Sequence, residues 1–135
     1  MTDTIDLDSA KLEAYDAIDL AAGAARSILG TNIFGQLEIY REKYEQAIDF
    51  LSTTGQSVDY NDYPLLQLEA NIVNLPIKNI AELIVKRRSN WISKITAIES
   101  LRLTGKYNIA VCTNVDDIRK LTSYTINKLS EFKRT

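Results

Sequence analysis

The sequence predicts an all-α protein: an elongated helical array with a long C-terminal helix in an antiparallel helical hairpin. Three observations carry that prediction. Only five Gly and two Pro occur in 135 residues, too few for a loop-rich β-sandwich. Apolar residues make up 45% and charged residues 25%, a balance that supports a packed core and argues against disorder. Spacings of three and four recur along nearly the whole chain, and strands are hard to place anywhere. At 15.2 kDa the chain reads as a single helical domain, residues 1–135, with residues 1–7 as a short acidic lead.

Asp8 or Ser9 is placed to cap a first helix running to about Leu29, with Gly30 as its stop. Leu12, Tyr15, Ile18, Ala22, Ala25 and Leu29 form its apolar stripe, and Glu13, Asp16 and Asp19 lie on the other face. The run of small residues from Ala21 to Ala25 fits a tight helix crossing. A second helix, from about Gly35 to Thr53, carries Leu37, Tyr40, Tyr44, Ala47 and Leu51 on one stripe and stops at Gly55. Residues 54–62 have turn chemistry and no period, so they make the longest loop. Pro64 suits a first helical turn with Asp62 in capping range, and Leu65, Leu68 and Ile72 line a short third helix.

Pro76 marks the next start. From Ile77 to Cys112 a largely apolar seam alternates at four and three: Ile77, Ala81, Ile84, Arg88, Trp91, Ile95, Ile98, Arg102, Gly105, Ile109 and Cys112. A single helix of that extent would be about 53 Å long, so it must protrude, bend or bind something, with Gly105 the natural place for a kink. Asn114 caps a last helix whose stripe is Val115, Ile118, Leu121, Thr125, Leu129 and Phe132, with Asp116 and Asp117 at its positive end.

The chemistry that composition excludes is extensive. With no histidine, this chain alone supplies no Ser-His-Asp triad, no His-activated thiol and no His-ligated zinc. No phosphate-cradling glycine loop occurs, and neither Asp3, Asp6 and Asp8 nor Asp59 and Asp62 have the spacing of a calcium loop. The expectation is therefore no enzyme, no cofactor, no metal and no small-molecule substrate. Cys112 follows Ile109, Ala110 and Val111 and reads as a small buried side chain. The acidic start of the chain does not look like a signal peptide, and no apolar run is long enough to span a bilayer, so no membrane contact is expected.

Net charge is only −2, yet residues 1–70 hold 13 acids and 4 bases while residues 71–135 hold 5 acids and 12 bases. The two halves either neutralise one another or present a face to a partner of opposite sign. The densest basic run, Lys86 to Arg88, spreads around a helix and has few interleaved aromatics, so nucleic acid is only a remote alternative. Arg88 and Arg102 stand at seam positions, either reaching past the seam to water or pairing with carboxylates of the acidic half. Trp91 reads as core before interface anchor. The seam itself could serve an intramolecular bundle, a dimer or a trimer, and its two arginines weaken a plain coiled-coil reading.

Three ordered patterns run through the chain: AAGxARxxxxTxxxGQxxxYxxKxxxA from Ala21, YPLLxxEA from Tyr63, and WxxxIxxIExxRLxxK from Trp91. Together they resemble a group of small, largely uncharacterised helical proteins encoded near the tail-fibre genes of tailed bacteriophages and prophages. The resemblance implies a non-enzymatic tail protein associated with the tail fibre or baseplate, whose partners are phage tail or tail-fibre proteins or further copies of itself. A transient tail-fibre assembly chaperone, made in the host cytoplasm and not retained in the virion, is the alternative. The matching residues are Arg26, Thr31, Gly35, Gln36, Tyr40, Lys43, Trp91, Glu99 and Arg102. Arg26, Gln36, Tyr40, Lys43, Arg88, Trp91 and Arg102 are the expected partner-binding residues. The spacing of the matching residues also has a structural reading, since Thr31 and Gly35 can shape the start of a helix and Gln36, Tyr40 and Lys43 lie on adjacent turns of one face.

Overall fold

The computed structural model describes residues 6–29, 36–53 and 56–133. Among these residues are five α-helices, α1 (Leu7–Leu29), α2 (Gln36–Leu51), α3 (Pro64–Val73), α4 (Ile77–Ala110) and α5 (Val115–Leu129), with one 3-10 turn at Tyr60–Asp62. No strand occurs among the described residues. The chain divides into two compact units: residues 1–30 with 93–135, and residues 31–92. Helix α4 contributes its first half to the second unit and its second half to the first.

The first unit is a three-helix bundle. Ala10, Ala14, Ile18, Ala22 and Ala25 of α1 meet Ile98 and Ile109 of α4 and Ile118 and Leu129 of α5 in one buried cluster. The small α1 side chains let neighbouring backbones come close, as the run of alanines predicts. A four-residue connector joins α4 to α5, and Gly105 lies against Thr125, so the two helices form the expected antiparallel hairpin. Asn114 caps α5 by accepting the Asp117 amide at 2.8 Å, with Asp116 and Asp117 at the positive end of the helix. At the end of α4, the Lys11 ammonium of α1 donates to the Ala110 carbonyl at 2.7 Å, satisfying one orphan acceptor.

The second unit packs Ala47 of α2, Tyr63, Leu66 and Ala70 around α3, and Ile77, Ile80 and Ala81 of α4 into its own core. Phe50 meets the Tyr63 ring edge-on at 5.3 Å. The start of α3 is held from outside: the Leu65 amide donates to Gln46 Oε1 of α2 at 3.0 Å. Asn74, with φ 58°, ends the helix in the left-handed region that asparagine tolerates.

Several expectations need correction. The carboxylate of Asp6, not Asp8 or Ser9, accepts the amide of Asp8 and the hydroxyl of Ser9 at the start of α1. Leu12 is exposed because α1 turns its alanine stripe inward. Leu37 and Tyr40 are also exposed, since the burial of α2 begins one turn later, at Lys43 and Tyr44. On α3 the inward residues are Leu66 and Ala70, while Leu68 and Ile72 face solvent. The two sets share the same three-four spacing, so periodicity could not choose between them; Tyr63, anchored to Asp49, sets the phase. Asp62 sits within the 3-10 turn, and Gln46 does the capping expected of it. Helix α4 runs unbroken through Gly105. What the glycine supplies is room: a Cβ there would stand 2.8 Å from the Thr125 side chain and 3.3 Å from Ile18 Cδ1. Gly30, Gly35, Thr31 and Gly55 lie outside the described residues.

Candidate protein-binding surfaces

Every seam position from Ile77 to Cys112 is buried or half-buried, including both arginines. Their neighbours differ. In the first unit Arg102 Nη1 reaches Asp19 Oδ1 of α1 at 3.1 Å, and its Nε reaches Glu99 Oε1 at 2.9 Å. Lys106 completes the group, with Nζ 2.9 Å from Asp19 Oδ2 and 5.6 Å from the centre of the Tyr15 ring. The hydrogen bond from Lys106, reinforced by Arg102, holds the Asp19 carboxyl below its ordinary range. Arg102 does the same to Glu99, with a smaller contribution from the charge of Arg26, and the two carboxylates in turn push the Arg102 guanidinium up. This is the pairing of seam arginine with the acidic first half that the charge split suggests. Arg26 itself is exposed in the last turn of α1.

In the second unit no carboxylate among the described residues pairs with the Arg88 head. Its guanidinium carbon lies 5.1 Å from the centre of the Tyr44 ring and 5.5 Å from that of Trp91, so a cation is held between two π faces. Arg88 and Trp91 are both half-buried. Lys43 of α2 stands 3.7 Å from Glu69 Oε2 of α3, an oxygen out of contact with water and without a hydrogen bond. Gln36 opens α2, and Tyr40, 45% exposed, follows one turn later. Tyr63, buried against Phe50, donates its hydroxyl to Asp49 Oδ2 at 2.6 Å; that bond raises the phenol to about 12.

The structure thus joins Arg88 with Trp91 in the second unit, and places Arg102 and Arg26 about Glu99 in the first. Sequence reasoning missed the partners Lys106, Tyr44 and Gln46 as pairing groups. Lys106 and Tyr44 each lie one turn from a singled-out residue, at i+4 from Arg102 and i+4 from Tyr40, a signal that could have found them. Gln46 bonds across to another helix and leaves no such trace.

Helix α3 is apolar on two sides. Behind Leu66 and Ala70, an outer ridge of Leu68 and Ile72, 57% and 73% exposed, is flanked by half-buried Leu65. The one charged residue of α3, Glu69, is engaged by Lys43. In the first unit an open groove of about 420 Å³ at the hairpin end is lined by Cys112, Asp117 and Lys120 among others, and the Cys112 thiol donates to the Asn108 carbonyl at 3.3 Å.

Among the described residues no group of three or more Cys, Asp or Glu side chains is placed to hold a metal ion. Among the described residues no helix is long and apolar enough to cross a membrane. No protein-family model matches the chain, and no curated protein or solved structure matches it either.

Proposed function

We propose that this chain is a non-enzymatic protein-binding component of a bacteriophage tail, associated with the tail fibre or baseplate. The observation that carries the binding role is the outer ridge of α3, where Leu68 and Ile72 face water on a helix whose only charge is already paired. Contiguous exposed apolar surface of this kind serves protein contact. Lys43 and Glu69, which fix α3 against α2, both belong to the sequence patterns that resemble tail-associated proteins. That resemblance supplies the setting.

The test is mass spectrometry of purified phage particles, paired with a Leu68→Glu/Ile72→Glu variant. The wild-type chain is expected at stoichiometric copy number, and the variant, folded by circular dichroism, is expected to be lost from particles. Absence of the wild-type chain from particles would overturn the structural-component reading and leave the assembly chaperone.

A further inference from the structure

We infer that the outer face of α4 in the first unit pairs with the same face of a second copy of this chain, antiparallel, about a two-fold axis at Ser100. From Ser93 to Ala110 the exposed residues of this helix are Ser93, Thr96, Ala97, Ser100, Leu103, Thr104, Tyr107 and Ala110, and none is charged. The charged residues of the stretch, Lys94, Glu99, Arg102 and Lys106, are all half-buried. The other two helices of the unit behave as solvent faces usually do: α1 exposes Glu13 and Asp16, and α5 exposes Asp116, Asp117, Arg119 and Lys120.

The face repeats on its own four-three register, Ser93, Thr96, Ser100, Leu103, Tyr107 and Ala110, on the side of the helix away from the buried seam. Size is distributed unevenly along it. Ser93, Thr96 and Ala97 are small, whereas Leu103 and Tyr107 are large and stand 54% and 69% exposed. That asymmetry selects the occupant. In a parallel pair Leu103 would meet Leu103 and Tyr107 would meet Tyr107, leaving the small end hollow. In an antiparallel pair centred on Ser100, Leu103 falls opposite Ala97, Tyr107 opposite Ser93 and Thr104 opposite Thr96, so each bulky residue fills the hollow of the other copy. A surface complementary to itself under a two-fold axis is what an isologous dimer requires. A strongly charged partner would bury its charges here without counterparts.

One helix pair of this length lies at the low end of interface area, so the expected dissociation constant is on the order of micromolar. This inference does not rest on the tail reading, and the experiment uses the isolated full chain. Sedimentation equilibrium at roughly 10–200 µM, a range set by that expected affinity, should show a monomer–dimer equilibrium. Tyr107→Glu and Leu103→Glu should each weaken it by at least tenfold, while Lys120→Glu on the charged face of α5 leaves it unchanged. In a Cys112→Ser background, Ser100→Cys should cross-link to itself through a short bis-maleimide. Tyr107→Cys should not, because its two copies stand about 21 Å apart along the axis at 1.5 Å per residue. A monomer throughout, a dimer indifferent to Tyr107→Glu, or self-cross-linking of Tyr107→Cys would each overturn the inference.

Discussion

Arg88 and Arg102 occupy equivalent places on one seam of one helix, yet each half of α4 solves the burial of its arginine with different chemistry. Near Arg102, α1 offers Asp19, and the guanidinium is neutralised by carboxylates. Near Arg88, α2 offers the Tyr44 ring, and the guanidinium is held by π faces. A seam position therefore fixes that a long side chain lies along the packed face, and the neighbouring helix decides what receives its head. The two units differ in the same sense elsewhere: the first rests on close-packed alanine and isoleucine with an ionic clasp, the second on aromatic edges and a glutamine that reaches from one helix to cap another.

The strongest way to separate the two units is to open a cavity in one of them. Ile98→Ala should cost about 3 kcal/mol and Leu66→Ala a similar amount. Hydrogen exchange checks the division, with Ile98→Ala expected to accelerate amides of α1 and α5 far more than those of α2 and α3, and Leu66→Ala the reverse.

The glycines sharpen the comparison within the first unit. Gly105→Ala should destabilise by roughly 1–3 kcal/mol, because a Cβ would press on the buried and rotamerically stiff Thr125. In Gly23→Ala the new methyl meets, among the described residues, only Arg26 Nη2 at 3.8 Å, and the gain in helix propensity should raise stability by about 0.5–1 kcal/mol. Thermal melts of the two variants should move in opposite directions.

Titration should break the units at opposite ends of the pH scale. Tyr63 has its phenol raised by the bond to Asp49, so the stability it contributes is complete below the ordinary tyrosine value of 10.0 and is lost as pH rises through about 12. Tyr63→Phe should remove that alkaline component and cost about 1 kcal/mol at neutral pH, and ultraviolet titration should show one fewer late-ionising tyrosine. Asp19 and Glu99 are lowered from 3.8 and 4.5, so their contribution is present above those values and disappears as pH falls through the lower folded ones.

The smallest effects belong to the arginines themselves. Arg102→Met should cost no more than about 1 kcal/mol, since its partners are nearly half exposed. Its effect should shrink in about 1 M salt, whereas that of Arg88→Met, which removes contact with rings, should persist. Equal salt sensitivity of the two variants, read by denaturant midpoints, would remove the distinction between clasp and stack.

How legible all this is in the sequence depends on how many faces of a segment are apolar. Along α4 and α5 one stripe dominates, and every residue assigned to it is buried or half-buried. Asn114 is likewise readable because a side-chain cap is a local bond with a fixed offset. Helix α3 is not readable in that way: Leu65, Leu68 and Ile72 compete with Leu66 and Ala70, and only contacts with Gln46 and Tyr63, made by residues before the helix, decide between them. The Asp19 clasp is half legible, because the charge split announces acid meeting base but not which carboxylate. Gly105 is read as a weakness in the helix when it is a point of close approach, since a lone glycine looks the same in both roles.

The bond from Lys11 to Ala110 spans 99 positions of chain, and the first unit is assembled from segments that lie on either side of the second in sequence. During synthesis the segment 31–92 can collapse on contacts that are near in sequence. Helix α1, by contrast, leaves the ribosome well before α5 and must wait for that helix before its greasy alanine face is covered. The period of waiting is when α1 is most exposed to chaperones and to wrong partners, and it lengthens with every residue inserted between the two segments.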